Sequence, residues 1–128
     1  KCKLFIQNTQ TSVSIYIDEA NEELILAYIK KDNRHLKKFK FITDLILQCL
    51  INRELYDKEE VSLKARGVTA MKFFKGQEND RVYCKEFKET GKELKLIMVE
   101  LYEKKKGRKL NKKEIQMIER IGGYEYEI

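Results

Sequence analysis

The strongest constraint on the fold is a double change of hydrophobic period along the chain. Two opening stretches, "CKLFIQN" and "SVSIYID", are of β type. In the second, Val13, Ile15 and Ile17 alternate with Ser12, Ser14 and Tyr16, the period of two expected of a half-buried strand. The period then lengthens. Glu19 to Lys30 predicts a short helix. Asn33 to Asn52 predicts a longer one, with Leu36, Phe39, Ile42, Ile46, Cys49 and Leu50 on one stripe and Lys37, Lys38 and Lys40 on the polar side. "RELYDKEE" reads as a connection, and beyond it the period of two returns in "GVTAMKFFK", "RVYCKEFKE" and "LKLIMVELY".

The turn-rich pieces "GQEND" and "TGKE" separate these three runs, so two consecutive hairpins and an antiparallel meander are expected. The third run is the most apolar and suits a central place in the sheet. Leu94, Leu96 and Met98 are expected on one side, and Ile97, Val99 and Leu101 on the other. A final helix has clear boundary signals. Asn111 fits the N-cap, Glu114 the capping-box partner, Leu110 and Ile115 the hydrophobic staple, and Gly122 the residue just past the end. Its Ile115, Ile118 and Ile121 form a stripe that could dock on the sheet or on a neighbour. The order strand, two helices, three-stranded meander, short helix predicts an α+β domain with helices covering one face of the sheet.

A chain of 128 residues without proline, linker or repeat fits one domain, residues 1–128. It has no run of about 18 apolar residues, which argues against a membrane span. No signal-peptide pattern is visible, and a chain opening on Lys1 rather than methionine is expected to have been trimmed. Cys2, Cys49 and Cys84 lack metal-binding or redox spacing and leave one unpaired however they are matched. Reduced thiols in a cytosolic protein are the simplest expectation. His35 is the single imidazole, expected on a helix surface, so a metal site or a histidine triad has little material.

Charge is unevenly spread. Of the net +6, residues 64–113 carry sixteen Lys and Arg against seven Asp and Glu, a local +9, leaving about −3 elsewhere. This points to a polyanion facing the second half, or else to a solvated basic surface. In "RVYCKEF" the period of two puts Arg81, Tyr83, Lys85 and Phe87 on one face, opposite Val82, Cys84 and Glu86. A hairpin would bring Lys72 and Lys75 beside them. The run Lys104, Lys105, Lys106, Arg108 and Lys109 follows the last strand and can fold over the same end. Such cations can hold consecutive phosphates, while Tyr83 or Tyr102 could stack a base. The alternative is an amphipathic strand whose long cations lie over apolar surface with their heads in water.

The same groups could cleave RNA. The substrate's 2′-hydroxyl is its own nucleophile, and Lys and Arg supply electrostatic stabilisation to the phosphorane. A proton-transfer group would need a pKa lowered by crowded positive charge, as at Lys104 to Lys106.

From Val61 to Ile121, "KARGVTAMKFFK", "NDRVYCKEF" and "LKLIMVELYEKKKGRKLNKKEIQMIERI" follow in order. In this the chain resembles RelE/ParE-superfamily toxins, in particular the HigB-like branch. The resemblance implies a small antiparallel sheet with two N-terminal helices packed on it and a short C-terminal helix. It also implies the toxin of a type II toxin-antitoxin system, a ribosome-dependent mRNA endoribonuclease that inhibits translation in the cytoplasm without metal or other cofactor. The expected partners are a cognate antitoxin, the ribosome and mRNA. Carried over by position, Arg81 matches the arginine at the scissile phosphate, Lys104 or Lys105 the basic residues after the last strand, and Lys72 or Lys75 a region where the family often has arginine. Tyr83 joins Arg81, Lys72, Lys104 and Lys105 as catalytic candidates. Lys75, Lys85, Tyr102, Lys106, Arg108 and Lys109 are expected to bind RNA. Gyrase-poisoning members share the fold, so a non-catalytic toxin, a basic nucleic-acid or partner-binding module, and a decayed mobile-element protein remain open.

Overall fold

The computed structural model describes residues 1–50, 52–74, 79–88, 93–103 and 111–127. The strands are β1 (Cys2–Asn8), β2 (Val13–Asp18), β3 (Tyr56–Lys58), β4 (Val68–Phe73), β5 (Asp80–Lys88) and β6 (Leu94–Tyr102). The helices are α1 (Glu22–Ile29), α2 (Asn33–Leu47) and α3 (Lys112–Gly122), and a 3-10 turn spans Leu63–Ala65. This is an α+β fold with one six-stranded sheet in the order β1-β2-β6-β5-β4-β3.

The expected meander is present as β4-β5-β6, and β6, the most apolar strand, lies inside the sheet. The sheet as a whole is mixed rather than antiparallel, because β2 pairs with β6 in parallel, Val13 opposite Leu94 through Ile17 opposite Met98. Two strands precede the helices. "RELYDKEE" is not wholly a connection either, since it contains β3, a three-residue edge strand pairing Tyr56 with Met71.

One cluster fills the space between α1, α2 and the sheet, with Ile15, Ile17, Ile25, Phe39, Ile42, Met71, Val82, Cys84, Leu96 and Met98 among its buried members. The helical period of α2 places Phe39, Ile42 and Ile46 on this face. The helix ends five residues earlier than expected. Cys49 adopts φ 60°, its N–H bonds to the Ile46 carbonyl at 3.0 Å, and the Leu50 N–H bonds to the Leu45 carbonyl at 2.9 Å. That is a Schellman termination carried by cysteine instead of glycine, and it leaves Cys49 and Leu50 exposed beyond the helix rather than on its stripe.

The helices do not all share one face. α3 packs on the opposite side, where Ile118 and Ile121 are buried with Ala65, Val68, Ala70, Tyr83, Ile97 and Val99. Burying each isoleucine contributes roughly 1.5–3 kcal/mol. Ile118 and Ile121 of the α3 stripe are therefore used within the domain, whereas Ile115 is half-buried and lies outside this cluster. Asn111 caps α3 as expected, its side chain accepting from the Glu114 N–H at 2.9 Å. Leu110 lies outside the described residues. Gly122 is the last helical residue rather than the one beyond it, and the C-cap is Gly123. A Cβ at Gly122 would stand 1.9 Å from the Lys64 carbonyl oxygen, so glycine here permits close contact between α3 and the 3-10 turn.

The register of β5 against β6 slips between Tyr83 and Cys84, which stand opposite Glu100 and Met98, leaving Val99 as an extra residue. This bulge reverses the alternation downstream. Leu101, expected on the side of Ile97 and Val99, packs with the α2-side cluster instead. The Asn21 side-chain amide donates to the Val99 carbonyl at 2.8 Å, satisfying a polar group at the irregularity.

His35 is buried, not on the surface. Its Nδ1 lies 2.6 Å from Asp32 Oδ1, the same oxygen that caps α2 by accepting from the His35 N–H, and its ring packs edge-on against Tyr28 and Phe74. Residues Tyr124–Glu127 fold back over the α3 side without forming a strand. Tyr126 Oη donates to Asp18 at 2.6 Å. No helix among the described residues is long and apolar enough to cross a membrane.

Candidate functional site

Three of the expected site residues form a row across the meander. Lys72 of β4 pairs with Arg81 of β5, and Arg81 pairs with Tyr102 of β6. The Arg81 guanidinium is mostly enclosed. Its Nη1 lies 3.2 Å from Glu59 Oε1, with the two side chains 14% and 13% exposed, so this pair is better shielded from water than an ordinary surface salt bridge. Arg81 Nε is buried and has no hydrogen-bond partner among the described residues. Lys72 Nζ lies 3.4 Å from the Arg53 carbonyl oxygen. Tyr102 Oη accepts from Asn111 Nδ2 at 3.1 Å, linking the end of β6 to the start of α3.

Tyr83 and Lys85 share the face of Arg81 by register, but α3 covers them. Tyr83 is 0% exposed and its hydroxyl donates to Glu114 Oε2 at 2.8 Å, inside a site where Glu114 is also fully buried. Burial pushes the Tyr83 phenol well above its ordinary value, and the Glu114 carboxylate raises it further. Tyr83 is thus enclosed beneath α3 and engaged by Glu114, not open on the face beside Arg81. Lys85 Nζ donates to the carbonyls of Gly122 and Tyr124, both at 2.7 Å, closing the C-terminal end of α3 with a cation. Burial lowers its pKa. The half-buried Lys85 is thus engaged by the C-terminal end of α3.

The remaining expected residues, Lys75, Lys104, Lys105, Lys106, Arg108 and Lys109, lie outside the described residues. The described part of the row is thus Lys72, Arg81 and Tyr102. What it can do chemically is bind an oxyanion: a guanidinium with Lys72 beside it in register, held in orientation by Glu59. Among the described residues no three His, Cys, Asp or Glu side chains come together in a way that could hold a metal ion.

Two features had no signal in the sequence. Glu59, the partner of Arg81, lies in a charged string with no periodicity. A cleft of about 480 Å³ opens where α2 stops short of the sheet, lined by Ile46, Leu50, Tyr56, Thr69, Glu86 and Lys88 among others. On its floor Tyr56 donates to Glu86 and Thr69 donates to Tyr56 Oη at 2.8 Å. Burial raises the Tyr56 phenol well above its ordinary value. Comparison of the chain with protein-family models, with curated proteins and with solved structures gave no match.

Proposed function

We propose that the chain is a RelE/ParE-type toxin of the HigB-like branch, a ribosome-dependent endoribonuclease of messenger RNA that an antitoxin neutralises. The observation that carries this reading is the cross-strand row Lys72, Arg81 and Tyr102, which ends on β6 two residues in sequence before the segment 104–109 with its five further cations. The β4-β5-β6 meander followed by α3 also supports it, although β1 and β2 precede the helices and β3 stands between α2 and the meander. In the proposed reaction a phosphate of the message takes the place of Glu59 as the counter-ion of Arg81. The 2′-oxygen attacks the adjacent phosphorus and loses its proton to a lysine of the 104–106 run. The P–O5′ bond breaks, giving a cyclic phosphate and a 5′-hydroxyl that takes up a proton. Arg81 and Lys72 stabilise charge on the phosphorane oxygens, the kind of contribution whose removal lowers rates by about 10²–10³.

The test is translation in a cell-free extract with primer-extension mapping of the message. Arg81→Ala should abolish cleavage per folded molecule, at a cost in stability because it removes the guanidinium from the shielded pair with Glu59. Arg81→Lys, which keeps a cation beside Glu59 but loses the planar fork, should fall between it and the unmodified protein. Normal translation with an uncut message overturns the enzymatic reading.

A second reading is favoured by the sealing of Tyr83, which removes one proton-transfer candidate while leaving the anion-binding row intact. It is a non-catalytic toxin or nucleic-acid-binding module of the same fold. Salt-dependent RNA binding without product, or inhibition of gyrase in a supercoiling assay, would support this second reading.

A further inference from the structure

The cleft at the end of α2 lies on the opposite face of the sheet from Arg81. Thr69, Glu86 and Lys88 project from β4 and β5 beyond the last turn of α2, and the α2 termination at Cys49 and Leu50 forms one wall. The walls are Ile46, Leu50, Leu94 and the Tyr56 ring. Arg53, Lys58 and Lys88 also line it, together with Asp57, whose Oδ1 accepts from the Lys58 N–H at 2.8 Å. Lys58 Nζ lies 3.9 Å from Glu60 Oε1, so the cations there with no ion pair among the described residues are Arg53 and Lys88. Glu86 is fixed at the floor by the Tyr56 hydroxyl on Oε2, while its Oε1 makes no hydrogen bond among the described residues.

This combination narrows the ligand. Apolar walls with an aromatic side favour a flat ring. A positioned carboxylate favours a ring edge that presents N–H donors, and cations in the lining favour a phosphate. Of the nucleobases, guanine alone offers two adjacent donors, N1–H and N2–H, that match the two oxygens of one carboxylate. The volume of about 480 Å³ is in the range of small-molecule sites.

We propose that the cleft between the end of α2 and strands β3 to β6 binds a guanylate unit, with Glu86 receiving the guanine N1–H and N2–H and with Lys88, Lys58 and Arg53 holding its phosphate. The unit could come from a free nucleotide or from a guanine splayed out of single-stranded RNA. The proposal deepens the RNA-directed reading above, but it rests on different residues on the other face of the sheet.

The experiment is calorimetric titration of the full chain with 5′-GMP, 5′-IMP, 5′-AMP and inorganic phosphate, followed by single-stranded pentanucleotides with and without a central guanine. GMP should bind at least tenfold more tightly than AMP, and IMP, which lacks N2–H, should fall between them. Glu86→Gln should weaken GMP by about ten- to a hundredfold, the scale of one bidentate base contact, and leave inorganic phosphate unaffected. Lys88→Ala, at an exposed position, should weaken GMP and phosphate together. Tighter binding of the guanine pentanucleotide than of GMP identifies RNA as the source, and the reverse identifies the free nucleotide. Equal binding of GMP and AMP, or a Glu86→Gln protein that melts normally and binds GMP unchanged, overturns the proposal. Arg81→Ala should leave GMP binding intact, so an uncut message and an empty cleft are separate failures.

Discussion

Replacing Tyr83 by phenylalanine separates a structural from a catalytic role for this residue. The substitution removes one hydroxyl from a site where both Tyr83 and Glu114 are 0% exposed, and shape is otherwise conserved. Glu114 loses the donor 2.8 Å from its Oε2 at a place water does not reach. A hydrogen bond to a charged group contributes about 1.5–3 kcal/mol, and a buried carboxylate short of a donor belongs at the upper end. With an unfolding entropy of about 2.1 cal/mol/K per residue over 128 residues, that loss lowers the melting temperature by about 6–11 °C. The assay is thermal unfolding followed by far-UV circular dichroism on Tyr83→Phe, Glu114→Gln and the double variant. The pair should show a coupling of about 1 kcal/mol or more, as for residues sharing a buried contact. Cleavage per folded molecule should be unchanged. Melting within about 2 °C of the unmodified protein, with no coupling, refutes the structural account, given that buried hydrogen bonds to charge are worth more than that. Loss of cleavage at unchanged stability would return Tyr83 to the catalytic set.

The same phenol gives a pH dependence. Its pKa is raised by burial, so its contribution is fully present below the unfolded value near ~10 and is lost as pH rises toward the folded value, the native state keeping a proton that the unfolded chain releases. Tyr83→Phe should flatten the decline of stability above pH ~10 by about 1.4 kcal/mol per pH unit, read from urea midpoints at successive pH values; parallel curves would contradict it. Gly122→Ala should lose about 1–3 kcal/mol because the new Cβ stands 1.9 Å from a backbone oxygen that cannot move aside, whereas at Gly123 the nearest atom is 3.5 Å away and alanine should be tolerated. Equal melting temperatures for the two alanine variants would show that α3 is not held against the 3-10 turn.

Much of the architecture was legible because it depends on local signals. The cap at Asn111 needs only a side chain three residues from an orphan N–H, and the meander needs only alternation broken by turn residues. What escaped was nonlocal. The alternation in "RVYCKEF" correctly groups Arg81 with Tyr83 and Lys85, yet it carries no information on which face α3 will cover, and so Tyr83 looks as available as Arg81. The bulge at Val99 moves Leu101 to the other side without any glycine to announce it. α2 overshoots in the sequence reading because its left-handed terminator is Cys49. β3 is too short and too charged to show a period. The cleft inherits two of these blind spots, since it is bounded by the α2 terminator and by β3.

The position of β6 has a consequence for synthesis. β6 pairs with β2 on one side and β5 on the other, yet it is the last strand of the six to be made. Until Leu94 to Tyr102 arrive, β2 and β5 each present an open edge, with the apolar residues that will later line both cores. Pairing that waits on a late, central strand is of the long-range kind that folds slowly, and open strand edges are prone to intermolecular pairing. Chaperone demand should therefore peak during translation of the region before β6 and fall once that strand has closed the gap.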